Sequence, residues 1–465
     1  MLDKIFKNKI FTYIYTPLLF LSACAVVLLN EEINGTVIFA YIAAVTMVLS
    51  SRLTDAMLPA MLLCVFVTRC YNSADAFLAK VPIFVPVVIL IAAHFIIYRK
   101  KYFCNIRIGR SFFGICAVTL AVTLGGLGTI SAEEYFSGGA LYYVFGLGVG
   151  MCLFYVIVKN GFDAESGREV SRIMYAVGLF ACFCVLRFYA ADLELFLGTK
   201  RLLDFQSSNN LSTFLMLAMP FPLFYASKRH FDVISVMLMY ACVFLTGSRG
   251  GLLMGTVEFV AILLIYAICD NRSVFNKILY TLIAFSFVIA AIKLLPDIAR
   301  LYNFDVDYGE SSATLLDYIA SLRDFFVSEG EARVKLLDRM ISDFGKNPVF
   351  GVGIGYTGNS DIYNPVKGAM NWYHMWFAQV VGGLGIVGIT AYGYQLVDRL
   401  IIFFRNANLI NLTFMLSYMG LFLMSQVNPG EFCPMPYTAL AVTFFIIMEK
   451  NDVFVLGQKT DKSNN

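Results

Sequence analysis

Charge is what this chain has least of. Aspartate, glutamate, lysine and arginine make up 14% of its 465 residues, against about 25% in a soluble globular domain. Hydrophobic residues make up 59%, too many for a water-facing surface to be built around them. The chain therefore reads as an all-α, polytopic membrane protein. A net charge of +3, with no basic cluster interleaved with stacking aromatics, excludes nucleic acid as a partner. Histidine is scarce too, with three in the whole chain. Cysteine is present 11 times, but no Cys-x-x-Cys pair occurs. Cys24, Cys64, Cys116, Cys152, Cys182 and Cys242 lie inside apolar segments, where they serve as small hydrophobes. They indicate neither a disulfide framework nor a metal site.

What the chain does have is long apolar runs, and a bilayer-crossing helix needs about 20 such residues. Polar punctuation marks about fourteen candidates, at 10–29, 34–49, 55–67, 81–98, 111–130, 139–158, 173–189, 210–226, 231–246, 251–268, 278–295, 372–396, 408–426 and 436–448. The first follows Lys4, Lys7 and Lys9 and has no small-x-small site before Glu31, so it reads as an uncleaved span. Alternate connections collect Arg52, Arg99 to Arg110, Lys159 to Arg172, Lys228, Arg229, Arg272, Lys277, Arg399 and Arg405. The positive-inside rule puts these, and both termini, in the cytoplasm. Residues 1–465 then form a single transmembrane domain of the cytoplasmic (inner) membrane. Its one large extracytoplasmic loop, 296–370, carries amphipathic helices and is long enough to be functional rather than a connector.

The chemistry-bearing stretch runs from Arg333 to Gly388. Read as a helix, its start places Arg333, Leu337, Met340 and Phe344 on one face and sends Asp338, Arg339 and Ser342 elsewhere. Ser328 and Glu331 make a capping box, and Gly345 with Pro348 supplies the stop. A cation inside an apolar stripe needs an anion to meet it, or must snorkel to a membrane surface. The turn from Asn347 to Gly353 then aims the loop back at the membrane. Gly351-Val352-Gly353-Ile354-Gly355 is no phosphate loop, because no Rossmann unit surrounds it. His374 heads the next span at the outer rim. Ala378, Val381, Gly385 and Gly388 share its face and would let a neighbouring helix approach closely.

A second candidate is the outer turn Thr246-Gly247-Ser248-Arg249-Gly250-Gly251. Its glycines permit close backbone approach and its guanidinium fork matches phosphate geometry, though the same residues could make an ordinary polar turn. Arg187, near the outer end of its span, is either a third cation at that depth or the partner of the intramembrane Glu258. Asp305-Val306-Asp307 has the Asp-x-Asp form of metal-dependent, nucleotide-sugar glycosyltransferases, but such sugars are cytoplasmic and this loop is not.

Together these features resemble the O-antigen ligase and O-antigen polymerase superfamily of bacterial cell-surface polysaccharide enzymes. The resemblance rests on Ser248 to Gly251 after a span, Arg333 ahead of the turn at Pro348 to Gly353, and His374 ahead of Gly385 and Gly388. It covers roughly 210–428 and departs at Leu337, where the family usually has tryptophan. It departs again at Met375, where the family has an amide or hydroxyl residue; Asn371 could supply that polar partner.

The resemblance implies a metal-independent, inverting glycosyltransferase without a cofactor. It would act at the outer face of the membrane on an undecaprenyl-diphosphate-linked glycan donor. The acceptor would be another lipid-linked glycan in a polymerase, or a lipid or protein anchor in a ligase. Arg249 and Arg333, with Arg187, would hold the donor diphosphate, and His374 would serve as the base for the acceptor hydroxyl. A flippase of lipid-linked sugars is disfavoured, because the cations gather at one face and the halves show no symmetry. A metal-dependent lipid-phosphate mannosyltransferase built on Glu31-Glu32 would need a longer first outer loop.

Overall fold

The computed structural model describes residues 9–70, 80–104, 106–191, 208–225, 231–246, 248–269, 335–356, 373–428, 430–449 and 453–455, with isolated helical residues between 274 and 289. The chain opens with α1 (Lys9–Leu28), α2 (Glu32–Leu49) and α3 (Leu53–Cys70). A 3-10 turn at Val81–Phe84 leads into α4 (Val85–Ile97), α5 (Arg99–Phe103), strand β1 (Arg107–Gly109), α6 (Ser111–Leu124), α7 (Ala132–Tyr135), α8 (Gly138–Leu147) and α9 (Val149–Gly161). The middle holds α10 (Ser166–Ala191), α11 (Ser208–Ala218), α12 (Phe221–Tyr225), α13 (Phe231–Leu245) and α14 (Arg249–Cys269). Residues 335–346 form α15, followed by α16 (Trp376–Arg405), α17 (Leu409–Ser425), α18 (Ala439–Met448) and strand β2 (Val453–Val455).

This is an all-α fold of membrane type. Among the described residues, five stretches, Glu32–Leu49, Gly138–Gly161, Ser166–Ala191, Gly250–Ile268 and Trp376–Arg405, are long and apolar enough to cross a bilayer; seven further apolar helices are shorter. Two expected spans divide into separate helices, each for a local reason. The stretch expected at 210–226 divides into α11 and α12 at Met219-Pro220, where proline has no N–H to give the helix ladder. The stretch expected at 139–158 divides at Gly148, whose ψ of −118° no helix contains.

The main core joins α1, α3, α10, α11, α13, α14, α17 and α18. At its centre α11 is buried on every side from Leu211 to Ala218, as a helix without a polar face must be. Phe221 meets Phe414 edge-on at 5.3 Å and Phe444 at a tilt at 6.0 Å.

The two ends of the bundle differ. At one end β1 pairs antiparallel with β2, Arg107 opposite Val455. There the Lys101 ammonium donates to the carbonyls of Ser51 (2.6 Å) and Gly161 (2.9 Å). Arg52 pairs with Glu169 and Asp163, and Lys159 with Glu449. The other end gathers the loop after α6, residues 347–356 and the head of α16.

Candidate active site

The site is built on a broken helix. Within α16, Gly385 takes φ 61°, ψ −152°, which interrupts the hydrogen-bond ladder. Orphaned amides and carbonyls inside a bilayer cost several kcal/mol each. The turn after α15 satisfies four of them. Val352 and Gly353 donate N–H to the carbonyls of Gly382 (3.0 Å) and Gly383 (2.9 Å), while Ile386 and Val387 donate to those of Pro348 (2.8 Å) and Val349 (3.1 Å). Two glycines permit this approach. A Cβ on Gly351 (φ 65°) would stand 2.6 Å from the Gly383 oxygen, and one on Gly385 would stand 2.6 Å from the Pro348 oxygen.

The turn is fixed from its other side by Asn347. Its amide nitrogen donates to the Leu127 carbonyl (2.8 Å) and the Thr129 hydroxyl (2.9 Å), and its side-chain oxygen caps Phe350 N–H (3.1 Å). The Asn-Pro-x-Phe-Gly-x-Gly sequence is thus a wedge that seats the loop in α16. The face expected to run from Ala378 and Val381 through Gly385 to Gly388 is not continuous, because the helix breaks at Gly385. What fills the space at Gly385 is the wedge, and at Gly382 the Tyr373 ring, not a neighbouring helix.

α15 ends at Lys346, where the coming Pro348 restricts the backbone. Its stripe of Leu337, Met340 and Phe344 packs on Tyr373, Met375, Ala378 and Val381 at the head of α16. His374 sits there half-exposed, with φ 52°, a left-handed backbone uncommon outside glycine. Met375 is the N-cap of α16 and its side chain makes no capping hydrogen bond. An amide or hydroxyl at that position could have capped the helix. Here Gln379 reaches back instead, its side-chain oxygen accepting the Tyr373 N–H at 3.2 Å.

Beneath His374 lies a cluster that the apolar-stripe reading misassigned. Arg339 does not face away; its Nε lies 3.5 Å from Asp343 Oδ2, and its side chain is mostly covered. Asp343 is fully buried and also accepts from the Tyr373 hydroxyl (2.6 Å) and the Lys346 ammonium (2.8 Å). The hydrogen bond to Asp343 holds the Lys346 ammonium above its ordinary value. Burial, then the Asp343 charge, pushes the Tyr373 phenol well above its own, so it remains a donor. The sequence did carry a signal, since Arg339, Asp343 and Lys346 stand at i, i+4 and i+7 on one helical face.

Arg249 is the first residue of α14. Around it, Ser248 caps Gly251 N–H (3.0 Å) and bonds Asn209, Gly251 leaves no room for a Cβ against Ser212, and Gly250 packs on Val427. Packing and capping account for every described neighbour in that turn. Val427 lies five residues beyond Phe422, whose ring meets Trp376 at 5.5 Å. The heads of α14 and α16 therefore share the end of α17. Arg187 belongs to the same end, because Tyr189 donates to the Leu245 carbonyl (2.6 Å), four residues before Arg249.

Arg187 does not pair with Glu258. That carboxyl is buried against Gly420 of α17, and neither of its oxygens has a hydrogen-bond partner among the described residues. Arg333, Ser328, Glu331, Asn371, Asp305 and Asp307 lie outside the described residues. Of the other histidines, His94 is buried and bonds the Met47 carbonyl and Tyr102, and His230 lies outside the described residues.

Compared with curated proteins, the chain finds no match. Compared with protein families, it matches the model described as O-antigen ligase over residues 234–393. That span includes the Arg249 turn, α15, the wedge and the head and break of α16. The apolar helices and this match point to an integral membrane protein that carries, at residues 234–393, a domain similar to the O-antigen ligase family.

Proposed function

We propose that the protein is a lipid-linked oligosaccharide glycosyltransferase at the outer face of the cytoplasmic membrane, working as a polysaccharide polymerase. The acceptor hydroxyl attacks the anomeric carbon of a glycan held on undecaprenyl diphosphate. The bond from that carbon to the diphosphate oxygen breaks on the opposite face, inverting the centre, and His374 takes the acceptor proton. Arg249, Arg333 and Arg187 receive the charge of the departing diphosphate, a leaving group that needs electrostatic stabilisation more than a proton. No metal ion and no cofactor enters this scheme.

The observation that carries this reading is the shared end of α17, where His374 and the helix head bearing Arg249 converge. About fourteen expected crossings, with both termini cytoplasmic, favour the polymerase branch. A ligase passing the same glycan to a lipid or protein anchor uses the same residues. The test is transfer from lipid-linked donor in membranes of cells lacking the chromosomal copy. The His374→Ala protein should transfer glycan at least about a hundredfold more slowly, the low end of what a general base contributes. Near-normal transfer at equal protein level would remove His374 from the chemistry.

A further inference from the structure

The Asp343 cluster lies one residue from the proposed base, yet nothing in the reaction scheme uses it. Asp343 is fully buried, accepts hydrogen bonds from Lys346 and Tyr373, forms an ion pair with Arg339, and stands on a different element from His374. Its tie to the site is Tyr373. This residue is held at both ends, by its N–H on Gln379 and by its hydroxyl on Asp343. Its ring passes over Gly382, where a Cβ would stand 2.7 Å from the phenol oxygen, so the glycine clears the path to Asp343. The next residue, His374, holds the left-handed backbone at φ 52°.

We propose that Asp343 is a positioning residue: through the Tyr373 hydroxyl it locks the chain at 373 and so fixes the direction of the His374 imidazole. The inference rests on the reading of His374 as the base, but the placement itself does not. A backbone in a sparsely populated region persists only where its surroundings over-determine it. Here a hydrogen bond to a charged acceptor, stronger than one to a neutral acceptor, supplies part of that constraint. Arg339 and Lys346 hold the acceptor in place. The lock spans α15 and α16, so it couples the large loop to the base.

The test uses the full-length protein labelled with ¹⁵N-histidine in detergent micelles. The chain has three imidazoles, and His374→Ala identifies the signal of interest. Tyr373→Phe, which removes one oxygen and keeps the ring, should shift or broaden that signal, as should Asp343→Asn. Asp338→Asn, on the exposed face of α15, should leave it alone. In the transfer assay Tyr373→Phe and Asp343→Asn should lower the rate roughly ten- to a hundredfold, as small misplacements of a reacting group do. Asp343→Glu should recover part of the loss. An unchanged imidazole signal in Tyr373→Phe would overturn the lock. A shifted signal with full transfer in His374→Ala would uphold the lock and overturn the base.

Discussion

The two ends of this bundle treat charge differently. Where β1 meets β2, buried carboxylates have cations of their own: Glu449 takes Lys159, Asp398 takes Arg110, and Arg52 serves both Glu169 and Asp163. Within those pairs the cations are matched or outnumbered. At the wedge end one carboxylate, Asp343, stands between two cations, Arg339 and Lys346, and Arg187 has no ion pair among the described residues. A surplus of positive charge beside a low-dielectric wall attracts and holds an anion. The ion pairs of the first end are closed on themselves, whereas in the proposed reaction the cations of the second serve a ligand.

Removing a carboxylate at the closed end is the most direct way to break that contrast. Glu449 is fully buried and accepts from Lys159 (3.0 Å), Tyr155 and the Ser111 hydroxyl and N–H (both 2.8 Å). Glu449→Ala leaves a buried ammonium with no counter-charge, a change that costs about 3–5 kcal/mol. The protein should show a markedly lower midpoint of thermal unfolding in detergent. Transfer per folded molecule should stay near normal. Equal stability, or a transfer defect larger than the loss of folded protein, would mean that this end is coupled to the chemistry.

Gly351→Ala should do the reverse. Its left-handed backbone costs a β-carbon about 1–2 kcal/mol, and overlap with the Gly383 oxygen adds to it. The wedge then cannot seat in α16, and the head of α16 loses its anchor. A modest drop in unfolding midpoint should accompany a loss of transfer larger than that of Glu449→Ala. Wild-type transfer in Gly351→Ala would show that the wedge is mere scaffolding for the loop.

Much of this architecture was legible in the sequence, and the exceptions share a cause. Hydropathy located the apolar helices because burial in lipid leaves a long, continuous mark. Pro348 announced the end of α15 because its ring restricts the preceding residue. The break at Gly385 was not legible. A glycine in an apolar run reads equally as close helix packing or as a left-handed kink, and only the distant Pro348 and Val349 carbonyls decide between them. The inward turn of Arg339 was missed because an apolar stripe counts hydrophobic residues and ignores a charged pair inside it. Asp343 is buried because two hydrogen-bond donors and the Arg339 guanidinium meet it, and the decisive donor, Tyr373, is 30 residues away.

The smallest expected effect separates the ends by pH. At the closed end, part burial raises the Asp163 carboxyl, but the hydrogen bonds from Ser166 and the Glu165 N–H, with Arg52, outweigh it and hold it below its ordinary value. A depressed carboxylate stabilises the fold above its unfolded value, about 3.9, and that contribution is lost as pH falls through the lower folded value. At the wedge end Lys346 is raised, so its contribution is complete below the unfolded value, about 10.4, and is lost as pH rises through the folded one. Both side chains are substantially exposed, at 49% and 42%, so solvent screens each pair and the effects are small. Unfolding midpoints across pH should show Asp163→Asn flattening only the acid limb and Lys346→Met only the alkaline limb. If either substitution altered the opposite limb, the two ends would not be electrostatically independent, and the contrast between them would fail.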